Sequence, residues 1–133
     1  LIERSEKIHG LLKDGISEAM LYGGEISKIV DRMNLLFGDS IDILPSISPE
    51  VVLIDTMYKD RKKSALVKNN MRLVREVVGS DPDYIDLINV ALNCASKRVV
   101  IKQPRYAEPL KDIKACSHQI LGKTIRYDVY ITI

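Results

Sequence analysis

The segment V-V-L-I-D-T-M-Y, residues 51–58, constrains this chain most. Four apolar residues, Val51 to Ile54, read as a buried strand. The run stops on a single carboxylate, Asp55, followed by Thr56, Met57 and Tyr58. Lys59, Arg61, Lys62, Lys63, Lys68, Arg72 and Arg75 come next, with only Asp60 among them as a counter-charge. A buried strand holds the residue at its carboxyl end firmly, and in open α/β sheets ligands bind beyond those ends. The stretch thus links a sheet to a place for chemistry.

The rest of the chain supplies the sheet's other parts. Ile8, Leu11, Leu12, Ile16, Ala19 and Met20 fall at spacings of three and four, which predicts a helix over 5–22 ended by Gly23-Gly24. Ile26, Ile29, Val30 and Met33 repeat that spacing in a shorter helix. Asn34 to Phe37 reads as a short buried strand, closed by Gly38-Asp39-Ser40, with a helical turn over 40–44. Residues 63–78 predict a helix stopped by Gly79. Asp81 and Pro82 read as the cap and first position of another, running to about Ser96. Arg98 to Ile101 is an internal strand, and Lys102 to Tyr106 a loop. At the end, two strands flank Gly122-Lys123 and should pair antiparallel. In the second, Ile125, Tyr127, Val129 and Ile131 alternate with Arg126, Asp128, Tyr130 and Thr132, which predicts two unlike faces.

Strands alternating with helices predict an α/β fold: a largely parallel sheet with helices on both faces and a closing antiparallel hairpin. At 133 residues the chain is expected to form one domain. It opens Leu-Ile-Glu, which reads as the tail of a strand, so the first part of the domain is expected to lie outside this sequence.

Bulk properties narrow the function classes. No apolar run approaches the ~20 residues a membrane helix needs, and Cys94 and Cys116 lack metal spacing and read as reduced thiols, so a cytoplasmic protein is expected. The net charge of +2 hides an asymmetry. Residues 1–56 carry ten acids against five bases, and residues 57–133 fifteen bases against eight acids. Such polarity suits a polyanionic partner, and equally an ordinary solvated surface. Phosphate-loop, zinc and nucleophile-elbow motifs are missing from the sequence. His9 and His118 read as structural.

Acids stand at the ends of three inferred strands. Glu3 could accept from the ribose hydroxyls of a nucleoside cofactor, or could serve the start of the helix beside Ser5. Asp39 could accept from an adenine amine, or Asp39 or Ser40 could cap the following helix. Asp55 sits before Tyr58, a ring on which a base can stack, and before a basic segment that suits phosphates. The alternative there is a packed tyrosine and a solvated helix face.

The segments I-E-R-S (2–5), L-L-K-D-G (11–15), R-M-N-L-L-F-G-D-S (32–40), R-K-K-S-A-L-V-K-N-N-M-R (61–72), K-R-V-V-I-K-Q-P-R-Y-A-E-P-L (97–110) and G-K-T-I-R-Y-D-V-Y (122–130) resemble, in order, the ribosomal small subunit methyltransferase J family. That family methylates the exocyclic amine of a guanine in 16S rRNA with S-adenosyl-L-methionine. The resemblance implies a Rossmann-like methyltransferase sheet with Glu3 and Arg4 at the cofactor ribose and Asp39 and Ser40 at its adenine end. It places Asp55 near the reactive methyl and the target amine. Tyr58 would stack on the flipped base. Lys59, Arg61, Lys62, Lys63, Lys68, Arg72, Lys102 and Arg105 would hold the RNA backbone. The implied partner is 16S rRNA or the small ribosomal subunit.

Two departures stand out. Where the family pattern resembles D-P-M-F, this chain has D-T-M-Y, so Thr56 replaces a φ-fixing Pro. The family's upstream strand and Gly-rich turn, which cradles the cofactor's methionine end, have no counterpart here, and the resemblance covers about the second half of a family member. Two other readings stay open: a truncated remnant that binds RNA or is purely structural, and a nicotinamide-dependent oxidoreductase with the same sheet. An exposed sheet edge would also leave a homo-oligomer open.

Overall fold

The computed structural model describes residues 1–55 and 83–133, which form two compact units, Leu1–Ile43 and Leu44–Ile133. The predicted helix over 63–78, the Asp81-Pro82 cap and the segment Thr56 to Arg75 lie outside the described residues.

In the first unit, β1 (Ile2–Glu3) pairs in parallel with β2 (Leu36–Phe37), Ile2 opposite Leu36 and Glu3 opposite Phe37. Between them run α1 (Glu6–Leu21) and α2 (Gly24–Val30). Ser5 caps α1, its Oγ accepting from the Ile8 N–H at 3.5 Å, and Glu6 adds a favourable charge to the first turn. The predicted apolar stripe exists, yet α1 buries none of its residues among those described, and Leu11 stays 68% exposed. β2 is also exposed on both of its residues rather than buried as its composition suggests. The His9 ring meets Phe37 edge-on at 5.2 Å.

α3 (Ser40–Ile47) is longer than the turn expected over 40–44 and runs through Pro45. Asp39 starts it, Oδ1 accepting from the Ile41 N–H at 2.9 Å. Pro45 has no N–H, so one intrahelical bond is forgone, and the helix stops two residues later before Ser48, whose φ is 41°.

The second unit is a four-stranded mixed sheet in the order β3-β4-β6-β5, formed by β3 (Val51–Ile54), β4 (Arg98–Pro104), β5 (His118–Leu121) and β6 (Ile125–Ile131). β3 and β4 are parallel, with Val51 opposite Arg98 and Ile54 opposite Ile101. β6 runs antiparallel to both β4 and β5, so the closing hairpin forms as the sequence predicts. α4 (Tyr84–Cys94) packs on β4 and buries Ile88 and Ala91. It begins after Asp83 and stops short of Ser96. Val52, Ile54, Ile88, Val99 and Ile101 form the core, each full burial stabilising by roughly 1.5–3 kcal/mol.

Two expectations for this sheet need correction. β3 is half-buried: Val52 and Ile54 face the core, while Val51 and Leu53 are 48% and 62% exposed. A four-residue apolar run cannot reveal one uncovered face. Lys102 to Pro104 extend β4 instead of opening a loop, because β6 is long enough to pair with them out to Pro104 opposite Ile125. On β6, whose sequence pattern does not say which face is covered, Arg126, Asp128 and Tyr130 are buried, as is Val129.

Among the described residues, no helix is long and apolar enough to cross a membrane, no cluster of His, Cys, Asp and Glu could hold a metal, and Cys94 and Cys116 are free thiols.

Candidate active site

Parallel pairing of β1 and β2 brings their carboxyl ends to one side of the first unit, and with them Glu3, Arg4, Asp39 and Ser40. Glu3 Oε1 accepts from the Ser5 N–H at 2.7 Å. The Arg4 guanidinium reaches Asp39 Oδ2 at 3.2 Å while Oδ1 caps α3, so both Asp39 oxygens already have partners. Ser40 is the first residue of α3. Gly38 has φ 141°, and a Cβ there would lie 2.9 Å from Ile43 Cδ1. The backbone conformation is what favours glycine there, and the nearby α3 side chain adds a contact that Ile43 would have to yield.

In the second unit, parallel pairing of β3 and β4 sets Asp55 beside Lys102, one residue past the paired Ile54 and Ile101. Lys102 Nζ donates to Asp55 Oδ2 at 2.8 Å, and the side chains are 36% and 56% exposed. That hydrogen bond holds the Lys102 pKa above its ordinary value against partial desolvation. Asp55 Oδ1 has no hydrogen-bond partner among the described residues. Among the described residues the arrangement is a carboxylate gripped on one oxygen and open on the other, at the carboxyl end of β3 and beside Lys102 within β4. Tyr58, Lys59, Arg61, Lys62, Lys63, Lys68 and Arg72 lie outside the described residues.

Arg105 follows β4. Its Nη1 donates to the Gly122 carbonyl of the hairpin turn, and its guanidinium sits 5.7 Å from the Tyr106 ring centre. Behind it lies a buried polar cluster that sequence reasoning missed. Arg126 grips Asp128 through Nε at 2.8 Å and Nη2 at 3.1 Å, and Nη2 also donates to Gln103 Oε1 at 3.1 Å. Gln119 donates to Asp128 Oδ1 at 2.7 Å. Arg126 Nη1 reaches the carbonyls of Arg105 and Ala107 at 3.2 and 2.5 Å. The available signal was a cation and an anion two apart on one strand face, able to neutralise each other in the interior.

The parallel strand pairs, the helices and the antiparallel hairpin make an α/β fold of the methyltransferase class. Residues 1–132 match the family model described as putative SAM-dependent methyltransferase, and the chain belongs to that family. It is 52% identical to "Ribosomal RNA small subunit methyltransferase J" of Brucella anthropi, covering 98% of this chain and 64% of that protein. With the protein of the same name from Agrobacterium fabrum it is 53% identical, covering 98% and 63%. The crystal structure of a SAM-dependent methyltransferase from Neisseria gonorrhoeae superimposes with a TM-score of 0.74 at 32% identity, over 98% of this chain and 54% of that one. The chain thus spans less than two-thirds of the relatives it matches.

Proposed function

We propose that this protein methylates the exocyclic amine of a guanine in 16S rRNA, free or in the small ribosomal subunit, with S-adenosyl-L-methionine as donor. The observation that carries the reading is the half-held Asp55 carboxylate at the end of β3, in a chain of a SAM-dependent methyltransferase family. The relatives' printed name supports the rRNA substrate.

The residues present fit the cofactor. Glu3 Oε2 has no hydrogen-bond partner among the described residues, which leaves an acceptor for ribose hydroxyls. Asp39 keeps its two oxygens oriented through Arg4 and the α3 cap, and each retains a lone pair for an adenine amine. When bound, the cofactor would supply an electrophilic methyl group on a sulfonium sulfur, which can keep the C–S bonding pair and depart as a neutral thioether.

Asp55 Oδ1 accepts a hydrogen bond from the target amine and aims its lone pair, and after attack the same oxygen receives the surplus proton. Positioning of this kind supplies much of the rate. Lys102 fixes Oδ2 and keeps two N–H donors for an RNA phosphate. Tyr58 stacks on the target base, and Arg105 with the basic segment from Lys59 to Arg72 holds the backbone.

The test is Asp55→Asn in the whole protein, with calorimetric titration of S-adenosylmethionine and labelled-methyl transfer to 16S rRNA. Cofactor binding should persist, and transfer should fall by roughly 10²-fold or more. Transfer at the wild-type rate would remove Asp55 from the mechanism. Absence of cofactor binding by folded wild-type protein would end the reading.

A further inference from the structure

Tyr106 is 85% exposed, a large aromatic ring left in solvent just past the end of β4. The backbone beneath it is unusually well tied. The Arg105 N–H donates to the Thr124 carbonyl at 3.0 Å, and the Ala107 N–H donates to the Pro104 carbonyl at 3.0 Å, closing a turn. The carbonyls on either side of Tyr106, those of Arg105 and Ala107, both accept from buried Arg126. Arg126 is in turn locked by Asp128 and Gln103. A buried charge network thus fixes the turn that holds an aromatic ring out in water. The Arg105 guanidinium backs that ring. Tyr106 lies four positions past Lys102, a backbone span of at most about 14 Å, so one bound RNA strand can reach both.

We propose that Tyr106, backed by Arg105, is a stacking platform for an unpaired base of the RNA that flanks the target nucleotide. The proposal rests on the rRNA reading above and adds a second base-binding position to it. Sequence-tolerant recognition of single strands combines a cationic track with exposed rings, because every base offers a π face. An adjacent guanidinium strengthens such a platform. The pre-set turn lowers the ordering cost of binding, which is the benefit of building it on a buried network.

The test measures binding of a labelled single-stranded RNA of mixed sequence to wild type, Tyr106→Ala and Tyr106→Phe across a salt series, with cofactor binding followed in parallel. Tyr106→Ala should weaken RNA binding roughly ten-fold with an unchanged salt slope, since no phosphate contact is lost. Tyr106→Phe should bind as wild type. Equal binding by wild type and Tyr106→Ala overturns the platform and leaves the rRNA reading intact. An equal loss in Tyr106→Phe overturns it in favour of a hydroxyl contact. Wild type that binds cofactor but no RNA overturns both. The ring's exposure keeps either variant from disturbing the core.

Discussion

Arg126 and Asp128, two residues apart on β6, form a bidentate ion pair whose side chains are only 6% and 4% exposed. Removing one partner of such a pair leaves the other charge buried and uncompensated. Asp128→Leu should therefore lower unfolding stability by about 3–5 kcal/mol, and Arg126→Met/Asp128→Leu should recover part of that loss. Urea melts of the two variants against wild type check the order.

Lys102→Met removes the grip on one Asp55 oxygen. Both side chains are partly exposed, so the stability change should stay within about 1 kcal/mol. Methyl transfer should fall by roughly ten-fold or more as the carboxylate loses its orientation. A large drop in melting temperature instead would make the pair structural.

Gly38→Ala combines a backbone at φ 141° with a Cβ placed 2.9 Å from Ile43 Cδ1. It should destabilise by roughly 1–3 kcal/mol. A second change, Ile43→Val, should relieve the contact but not the backbone strain, so it restores only part of the loss in a thermal melt.

Burial, with Asp128 nearby, pushes the Tyr130 phenol up to about 12 from an ordinary 10.0. The folded state holds this proton more tightly than the unfolded chain does. Its contribution to stability is complete below pH 10 and is lost as pH rises toward 12. Tyr130→Phe has no such proton, so its melting temperature should decline less steeply than wild type above pH 10.

Asp39→Ala removes the cap on α3 and the partner of Arg4. The cap alone is worth about 1 kcal/mol. If Asp39 also meets the adenine, cofactor affinity should fall while Asp39→Asn keeps most of the stability. Calorimetry on both variants separates the two effects.

Helix and strand periodicity made most elements legible: α1 from its spacing of three and four, and the final hairpin from Gly122 between alternating runs. What the chain concealed was which face of each strand is covered. Leu53 and Ile54 are equally apolar, yet one is exposed and the other buried, because burial depends on what packs above the sheet. The burial of the Arg126–Asp128 pair was not legible, since pairing of two charges on one strand face leaves no periodic trace. Asp55 was legible as a strand-end acid, but the grip of Lys102 arises from β3–β4 register, a long-range pairing.

The hold of Arg126 on the Pro104–Ala107 turn also sets an order of assembly. The turn is tied by Arg126, 21 positions after Arg105 and 19 after Ala107, on a strand that must first zip antiparallel onto β4. Such contacts close late, because loop-closure entropy precedes their reward. The turn proposed to present Tyr106 to RNA is therefore complete only once β6 has paired with β4.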